Sequence, residues 1–499
     1  MKPPPSPPPR LLLLLLLLLT TVFSQPEPRD DLRLPTNEWK GEWELFTDNS
    51  GVSAMHAIVI PNVNKVLMYD ATIWRISRIE LPKGRCRVLN ATTGEEDCFA
   101  HSVLMDIDTA HLTPLQLHTD TWCSSGGLTF HGNLISTGGF QGGANTVRYL
   151  KIYNTSTWRE FPSALSSPRW YSTQAQLADG RIIVIGGRST PTYEYIPPEG
   201  KSNAKPFFFD FLQQTTDPEE NNLYPFVFLS PDSNVFVFAN NRSVLLNPDT
   251  NTVVKEFPVL PGGHRNYPAS GMAVLLPLEV LSPEADAVVE AEVLVCGGSA
   301  HIDSYTLGLK NVFYEALRDC GRLQITKPRP SWRREVMPSA RVMAVVLPDN
   351  RVLVAGSNTN NGYIYHNTTF PTELRVEKFS PPYFSPSRAH KKPNIINGGC
   401  PKTVSYGQDL TVKVNLNVKR IFLTNFMVTM YVPAFTTHGV AMNQRLVKLL
   451  LKDAVKVGEG RYDVSCVAPP NSAVAPEGYF MLSVVHRRIP SEAVWVQLK

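Results

Sequence analysis

The chain has 499 residues, 43% of them hydrophobic and 18% charged, with a formal net charge of +4. That length can bury more than one core, so two or more domains are expected. No basic run is interleaved with aromatics, which argues against a nucleic-acid partner; slight basicity leaves room for contact with an acidic extracellular matrix.

In chain order, Lys2 and Arg10 flank an unbroken leucine run at 11–19, with Val22-Phe23-Ser24 after it. This is the pattern of a secretory signal peptide over residues 1–24. The run is too short to span a bilayer, and no other stretch approaches the roughly 18 apolar residues a span needs. The expectation is a secreted, extracellular protein with no membrane segment, whose charge falls to about +2 once Lys2 and Arg10 are removed. Four glycosylation sequons, at Asn90, Asn154, Asn241 and Asn367, agree with export.

Seven cysteines make an odd count. Three local pairs suggest themselves as disulfides: Cys86 with Cys98, Cys296 with Cys320, and Cys400 with Cys466. Cys123 is left over, and an exported chain rarely keeps a spare thiol without a use for it.

Residues 25–388 show almost no helical periodicity. An apolar run, a tight turn and a second apolar run ending in small residues recur at 123–139, 171–187, 272–298 and 342–356. Weaker copies begin near Met55 and Tyr224. Turns such as Ala178-Asp179-Gly180 and Pro348-Asp349-Asn350 join two strands as hairpins, and about six repeats of this size resemble kelch blades of a β-propeller. Residues 389–499 read as a separate antiparallel, immunoglobulin-like sandwich, with strands at 410–416, 420–423, 427–432, 445–451, 461–467 and 479–485. The fold class is therefore all-β.

Several short motifs carry a closer resemblance: Gly51-Val52-Ser53-Ala54-Met55-His56, Trp122-Cys123-Ser124, Arg169-Trp170-Tyr171, Pro371-Thr372-Glu373-Leu374, Phe435-Thr436-Thr437-His438 and the ending His486-Arg487-Arg488-Ile489-Pro490-Ser491-Glu492. Together with the repeats, the sandwich and the lone cysteine, they resemble the galactose oxidase and glyoxal oxidase family of copper radical oxidases, in particular its plant glyoxal oxidase-like branch. The resemblance implies a copper ion on the propeller axis and a protein-derived Cys–Tyr radical cofactor. It also implies oxidation of small aldehydes of the glyoxal or methylglyoxal type to carboxylic acids, with O2 reduced to hydrogen peroxide. By the same resemblance, Cys123 and Tyr171 are the cross-linked radical pair, and Tyr171 and His438 are metal ligands. Trp170 is read as packing, since neighbouring strand residues face opposite ways. The partners implied are aldehyde and O2, with a monomer expected and, for a plant protein, a location in the cell wall or apoplast.

One departure matters. The family's further Tyr–His ligand pair should precede the strand that begins at Ala344, and its positions hold Ala340 and Arg341. Neither can bind copper: alanine has no ligand atom and a guanidinium stays cationic. Residues 337–343 resemble the opening of one blade and residues from 344 the interior of the next, so about one blade, on the order of 50 to 70 residues, is missing between Met343 and Ala344. Tyr365-His366 is a Tyr–His dipeptide too, but it lies beyond the strand and is read as surface loop. With half its ligands gone, the chain as written is expected to bind copper weakly and turn over poorly or not at all. The alternative is a non-catalytic secreted propeller that binds wall polysaccharide or protein. A hydrolase finds no Gly-x-Ser-x-Gly elbow or His-Glu-x-x-His motif to stand on.

Overall fold

A computed structural model of the chain describes residues 39–151, 157–337, 345–418 and 420–499. The leader at 1–24, the sequon at Asn154 and the positions Ala340 and Arg341 lie outside these residues. Among the described residues, six antiparallel sheets run through the first three-quarters of the chain, each with four strands from this region. The first sheet has His56–Ile60 innermost, then Lys65–Tyr69, Ser102–Asp106 and Leu112–Leu115. The second, third, fourth and fifth begin with Ser125–Leu128, Thr173–Gln176, Phe226–Leu229 and Met272–Leu275. A closing sheet takes Val345–Val346, Val352–Ala355 and Val376–Ser380 from late in the chain. It takes its outer strand, Glu42–Thr47, from the start of the described chain, so the two ends of the repeat region are tied in one sheet.

The double glycines have a steric cause. A Cβ placed on Gly138 would lie 1.9 Å from the carbonyl oxygen of Arg169, and one on Gly139 would lie 2.1 Å from that of Asp120. The second sheet's second strand thus ends where the backbone segments entering the second and third sheets pass at contact distance, and only glycine fits there. Buried arginines pin those entering segments. Arg169, with no solvent exposure, bonds Glu194 at 2.7 Å and the Gly186 and Thr192 carbonyls. Arg265 does the same with Asp319 and the Gly297 carbonyl. Burying these charges is tolerable because each is paired with a carboxylate and its terminal N–H groups also meet carbonyl oxygens.

The C-terminal region is a two-sheet sandwich. Asn394–Ile395, Asp409–Asn415, Arg461–Val467 and Leu450–Gly458 form one sheet, and the other is built on Arg445–Lys448, Phe426–Val432, Gly478–His486 and Val494–Leu498. Asp409–Asn415 alternates strictly between exposed and buried positions, as a half-covered strand should. Two expectations fail here. Residues 420–423 are not a strand; Leu423–Asn425 is a 3-10 turn that leads into Phe426–Val432. Cys400 and Cys466 are free thiols, not a disulfide. The Cys466 thiol is buried on Arg461–Val467, while that of Cys400 turns to the Pro401 carbonyl. Burial pushes them up to about 12 and about 11 respectively. The other two pairs, Cys86–Cys98 and Cys296–Cys320, are disulfides.

A hairpin from the sandwich, Phe435–Thr437 with Val440–Met442, leaves its own domain and extends the first sheet inward, pairing Thr437 with His56 and Thr436 with Ala57. Its two turn residues, His438 and Gly439, both have positive φ (47° and 84°), the geometry of a tight I′-type hairpin. That turn carries His438 to the inner ends of the sheets.

Candidate functional site

Five sheets are entered through a residue in the left-handed region: Ala54, Cys123, Tyr171, Tyr224 and Ser270, with φ between 35° and 66°. None is glycine, so each carries strain that its surroundings must hold. The holding is visible. The Tyr171 N–H donates to the Cys123 carbonyl at 3.1 Å, and the Tyr224 N–H donates to the Tyr171 carbonyl at 2.9 Å. The Asn266 side chain then donates to the Tyr224 carbonyl at 3.1 Å. The second, third, fourth and fifth sheets are thereby linked at their inner ends, and their side chains converge.

Cys123 is fully buried and Tyr171 is 5% exposed. The Cys123 sulfur lies 3.3 Å from His438 Nε2, and His438 Nδ1 lies 2.6 Å from Thr437 Oγ1. Hydrogen bonds link Tyr171 to Cys123 and to Tyr267. The rings of Tyr171 and Tyr267 stack at 4.9 Å with 18° between planes, and both meet His438 edge-on, at 6.0 and 5.2 Å. Tyr224 closes the group, 5.2 Å from His438, with its hydroxyl on the Ser124 carbonyl at 3.0 Å. Behind Tyr171, Trp170 packs on Trp122 and Phe140.

Burial sets the protonation states. Desolvation lowers His438 to about 4, so its imidazole is neutral at pH 7 and able to ligate. Burial pushes Cys123, Tyr171 and Tyr267 upward, and the nearness of Cys123 raises the two tyrosines further, so all three stay protonated. His56, one layer below, stacks on Tyr69 at 4.4 Å, and its Nε2 meets Ser124 Oγ at 3.3 Å. Desolvation lowers it to about 3.

The three site residues read from the sequence thus lie together. Tyr365-His366 does not join them: the Tyr365 ring lies under Arg78 at 4.1 Å and His366 is exposed. Tyr224 and Tyr267 were missed. A signal existed for Tyr267, because Arg265-Asn266-Tyr267 repeats the spacing of Arg169-Trp170-Tyr171, the buried arginine again fixing the tyrosine two residues on. Tyr224 opens one of the weaker repeats and had no such mark.

Between the fifth and closing sheets the packing changes. A cavity of about 390 Å3 lies there, bordered by Met272 on one side, Leu353 and Ala355 on the other, and Tyr267 and His438 at its inner end. Among the described residues, no cluster of His, Cys, Asp or Glu with metal-ligand spacing occurs at the centre; the one found, Cys86, Glu96 and Cys98, includes the two halves of a disulfide.

Comparison with known proteins bears on this centre. The model of the family described as "Glyoxal oxidase N-terminus" matches residues 55–345 and 343–383. That of the "Galactose oxidase-like, Early set domain" matches 392–498. The first match is broken at the point where the sequence reading puts the missing segment. "Aldehyde oxidase GLOX1" of Arabidopsis thaliana is 48% identical over 93% of this chain and 85% of its own length. "Aldehyde oxidase GLOX" of Vitis pseudoreticulata is 34% identical over 92% and 97%. The alignment to the first runs over 528 residues, longer than this whole chain, although it uses only part of it. A solved fungal alcohol oxidase of the AA5 family, in complex with copper, shares the fold at a TM-score of 0.62 and 15% identity, over 93% of this chain and 99% of that one. The chain therefore belongs to the glyoxal oxidase family of oxidases.

Proposed function

We propose that this chain is a secreted copper radical oxidase that converts small aldehydes to carboxylic acids and O2 to hydrogen peroxide, and that turnover is impaired by the loss of a Tyr–His ligand pair with the segment between Met343 and Ala344. The observation that carries it is the meeting of a buried thiol, a buried phenol and a neutral imidazole: Cys123, Tyr171 and His438. A cupric ion favours nitrogen and oxygen donors in a tetragonal plane. His438 Nε2 and the Tyr171 oxygen fit two of its positions, and Tyr267 offers a further oxygen beside them. The donors present thus fit copper on one side, and the other side faces the cavity.

Bound copper and a radical on Tyr171 would together supply the two electron acceptors that a hydrated aldehyde, RCH(OH)2, needs to become RCOOH with release of two protons. The chain's own residues do the rest. The aromatic wall of Trp170, Trp122 and Phe140 keeps water from Tyr171. Cys123 and Tyr171 are neighbours joined by a side-chain hydrogen bond, and on this reading they are the pair that forms a thioether. Forming that bond removes one hydrogen from each partner, and O2 accepts both. Tyr267, hydrogen-bonded to Tyr171 and bordering the cavity, can hold a proton between the two.

Asn90 and Asn367 are exposed, as glycan acceptors must be, and Asn241 is partly so. A coupled peroxidase assay with methylglyoxal and added copper tests the reading. Peroxide from a chain carrying the missing segment supports it, and none from either form refutes it.

A further inference from the structure

The two ring nitrogens of His438 have different neighbours. Nε2 faces the Cys123 sulfur at 3.3 Å, and Nδ1 lies 2.6 Å from Thr437 Oγ1. Only the nitrogen without a proton can give a lone pair to a metal. The hydrogen bonds beyond Thr437 decide which one that is, and they are read from the far end. A backbone carbonyl can only accept, so the Tyr224 hydroxyl donates its proton to the Ser124 carbonyl at 3.0 Å. Tyr224 is also joined to Thr437 by a side-chain hydrogen bond. With its own proton committed, the Tyr224 oxygen accepts there, and the Thr437 O–H is the donor. Thr437 then has no proton left for His438, so its oxygen accepts and Nδ1–H donates. A neutral imidazole carries one N–H, which leaves Nε2 bare. The relay is closed to water: Ser124 and Tyr224 have no solvent exposure and Thr437 has 3%. Reversing the ring would leave one of its bonds unmade in a buried place, where the loss is felt in full.

We infer that Tyr224 and Thr437 are positioning residues that hold His438 in the Nδ1–H tautomer, so that Nε2 is presented as an electron-pair donor on the side of Cys123. That Nε2 then serves copper rests on the oxidase reading above; the relay itself needs no metal. Neither residue meets metal or substrate on this account, and each acts through the ring. Partners of this kind on the far nitrogen of a metal-binding histidine set its tautomer and ring orientation. The relay also gives Tyr224 a task. Its backbone is held in the left-handed region at φ 47°, and strain of that sort persists where the surroundings enforce it. The three links come from separate elements: Ser124 precedes the second sheet, Tyr224 precedes the fourth, and Thr437 ends the first strand of the sandwich hairpin.

The test uses the full copper-free chain with 15N-labelled histidine, at about pH 8, where a histidine is neutral even at its ordinary value. Long-range 1H–15N correlation spectra distinguish the two tautomers, and the His438 signals are assigned by their loss in His438→Gln. The unaltered chain should show His438 as Nδ1–H, in excess by roughly 10-fold or more, the worth of a buried hydrogen bond left unmade. Thr437→Val keeps the shape and removes the acceptor, so the ring should change to Nε2–H, the form an imidazole favours in water. Thr437→Ser should restore Nδ1–H. Tyr224→Phe frees the Thr437 proton to donate to Nδ1 and should also move the ring toward Nε2–H, which a merely structural tyrosine would not do. If Tyr224→Phe does not fold, the Val and Ser variants decide. Nε2–H in the unaltered chain, or Nδ1–H retained in Thr437→Val, overturns the inference. Calorimetry with Cu2+ is a separate arm: Thr437→Val should weaken binding about 10- to 100-fold and Thr437→Ser by much less. The expected tautomers with unchanged copper affinity would uphold the relay and count against the copper reading, so the two fail distinguishably.

Discussion

The two sides of the sheet assembly are built differently. From the first sheet through the fourth, inner strands are walled in on both faces: His56–Ile60, Ser125–Leu128 and Phe226–Leu229 are buried at every position. In the fifth sheet, Met272–Leu275 alternates between half-buried and buried residues, and in the closing sheet Val352–Ala355 is buried at one position of four. The chain of hydrogen bonds that joins Cys123, Tyr171, Tyr224 and Asn266 belongs to the well-packed side. Strained left-handed residues can be held only where neighbours over-determine them. The cysteine, the tyrosines and their geometry are therefore held on one side, while the other side offers a cavity. On the proposed reading, loss of a repeat removes chemistry locally and leaves the rest of the centre standing.

The largest expected effect breaks the packed side. In a chain given the missing segment, Tyr171→Phe or Cys123→Ser should lower peroxide production by at least about 10²-fold, more than the loss of an ordinary acid–base group. In the chain as it stands either change should matter little, since the other side already limits turnover. A full loss seen in both forms would mean that the two sides do not differ in this way.

Next is His438. Outer partners of metal ligands are worth about 10- to 100-fold in affinity, so His438→Ala, which removes a direct donor, should weaken Cu2+ binding by about 100-fold or more by calorimetry. His366→Ala should change it by less than about 2-fold on the same scale. The reverse order would place the metal at the Tyr365-His366 loop.

A smaller effect is pH-dependent stability. Burial lowers His56 to about 3 and His438 to about 4, below the ordinary 6.5. Both are neutral in the folded state, so below pH 6.5 the unfolded chain takes up protons that the folded chain refuses. Their contribution to stability is complete above pH 6.5 and is lost as pH falls toward 4, by a few kcal/mol at most. Urea midpoints measured between pH 7 and 4.5 should fall, and His56→Gln, if folded, should flatten the decline. A flat profile for the unaltered chain would contradict the burial assigned to these rings.

The smallest effect sharpens the comparison by counting thiols. Denatured without reduction, the copper-free chain should show free thiols at Cys123, Cys400 and Cys466. After exposure of the segment-restored chain to copper and O2, Cys123 should disappear from that set while the other two remain.

Much of this was legible in the sequence. The repeats read at 123–139 and 171–187 are the first two strands of the second and third sheets, because glycine pairs and Asp-Gly turns are dictated locally by sterics. Cys123 stood out by arithmetic. Tyr224 did not, because its place at the centre depends on a backbone hydrogen bond to another sheet, which no local pattern records, and Tyr267 was marked only by its spacing from the buried Arg265. The expected Cys400–Cys466 bridge rested on proximity in a count alone; which way a thiol turns is set by side-chain packing. The strand read at 420–423 was an apolar pair, Ile421-Phe422, at a turn, and Phe422 remains exposed.

The central claim is that one half of the centre is intact and the other is missing with a segment of chain. The direct test inserts the stretch of the Arabidopsis relative that has no counterpart here between Met343 and Ala344. Peroxide release on methylglyoxal is then compared with that of the chain as it stands, both loaded with copper. The account predicts release at least about 10²-fold faster from the restored chain. Equal and robust release from the two would contradict it.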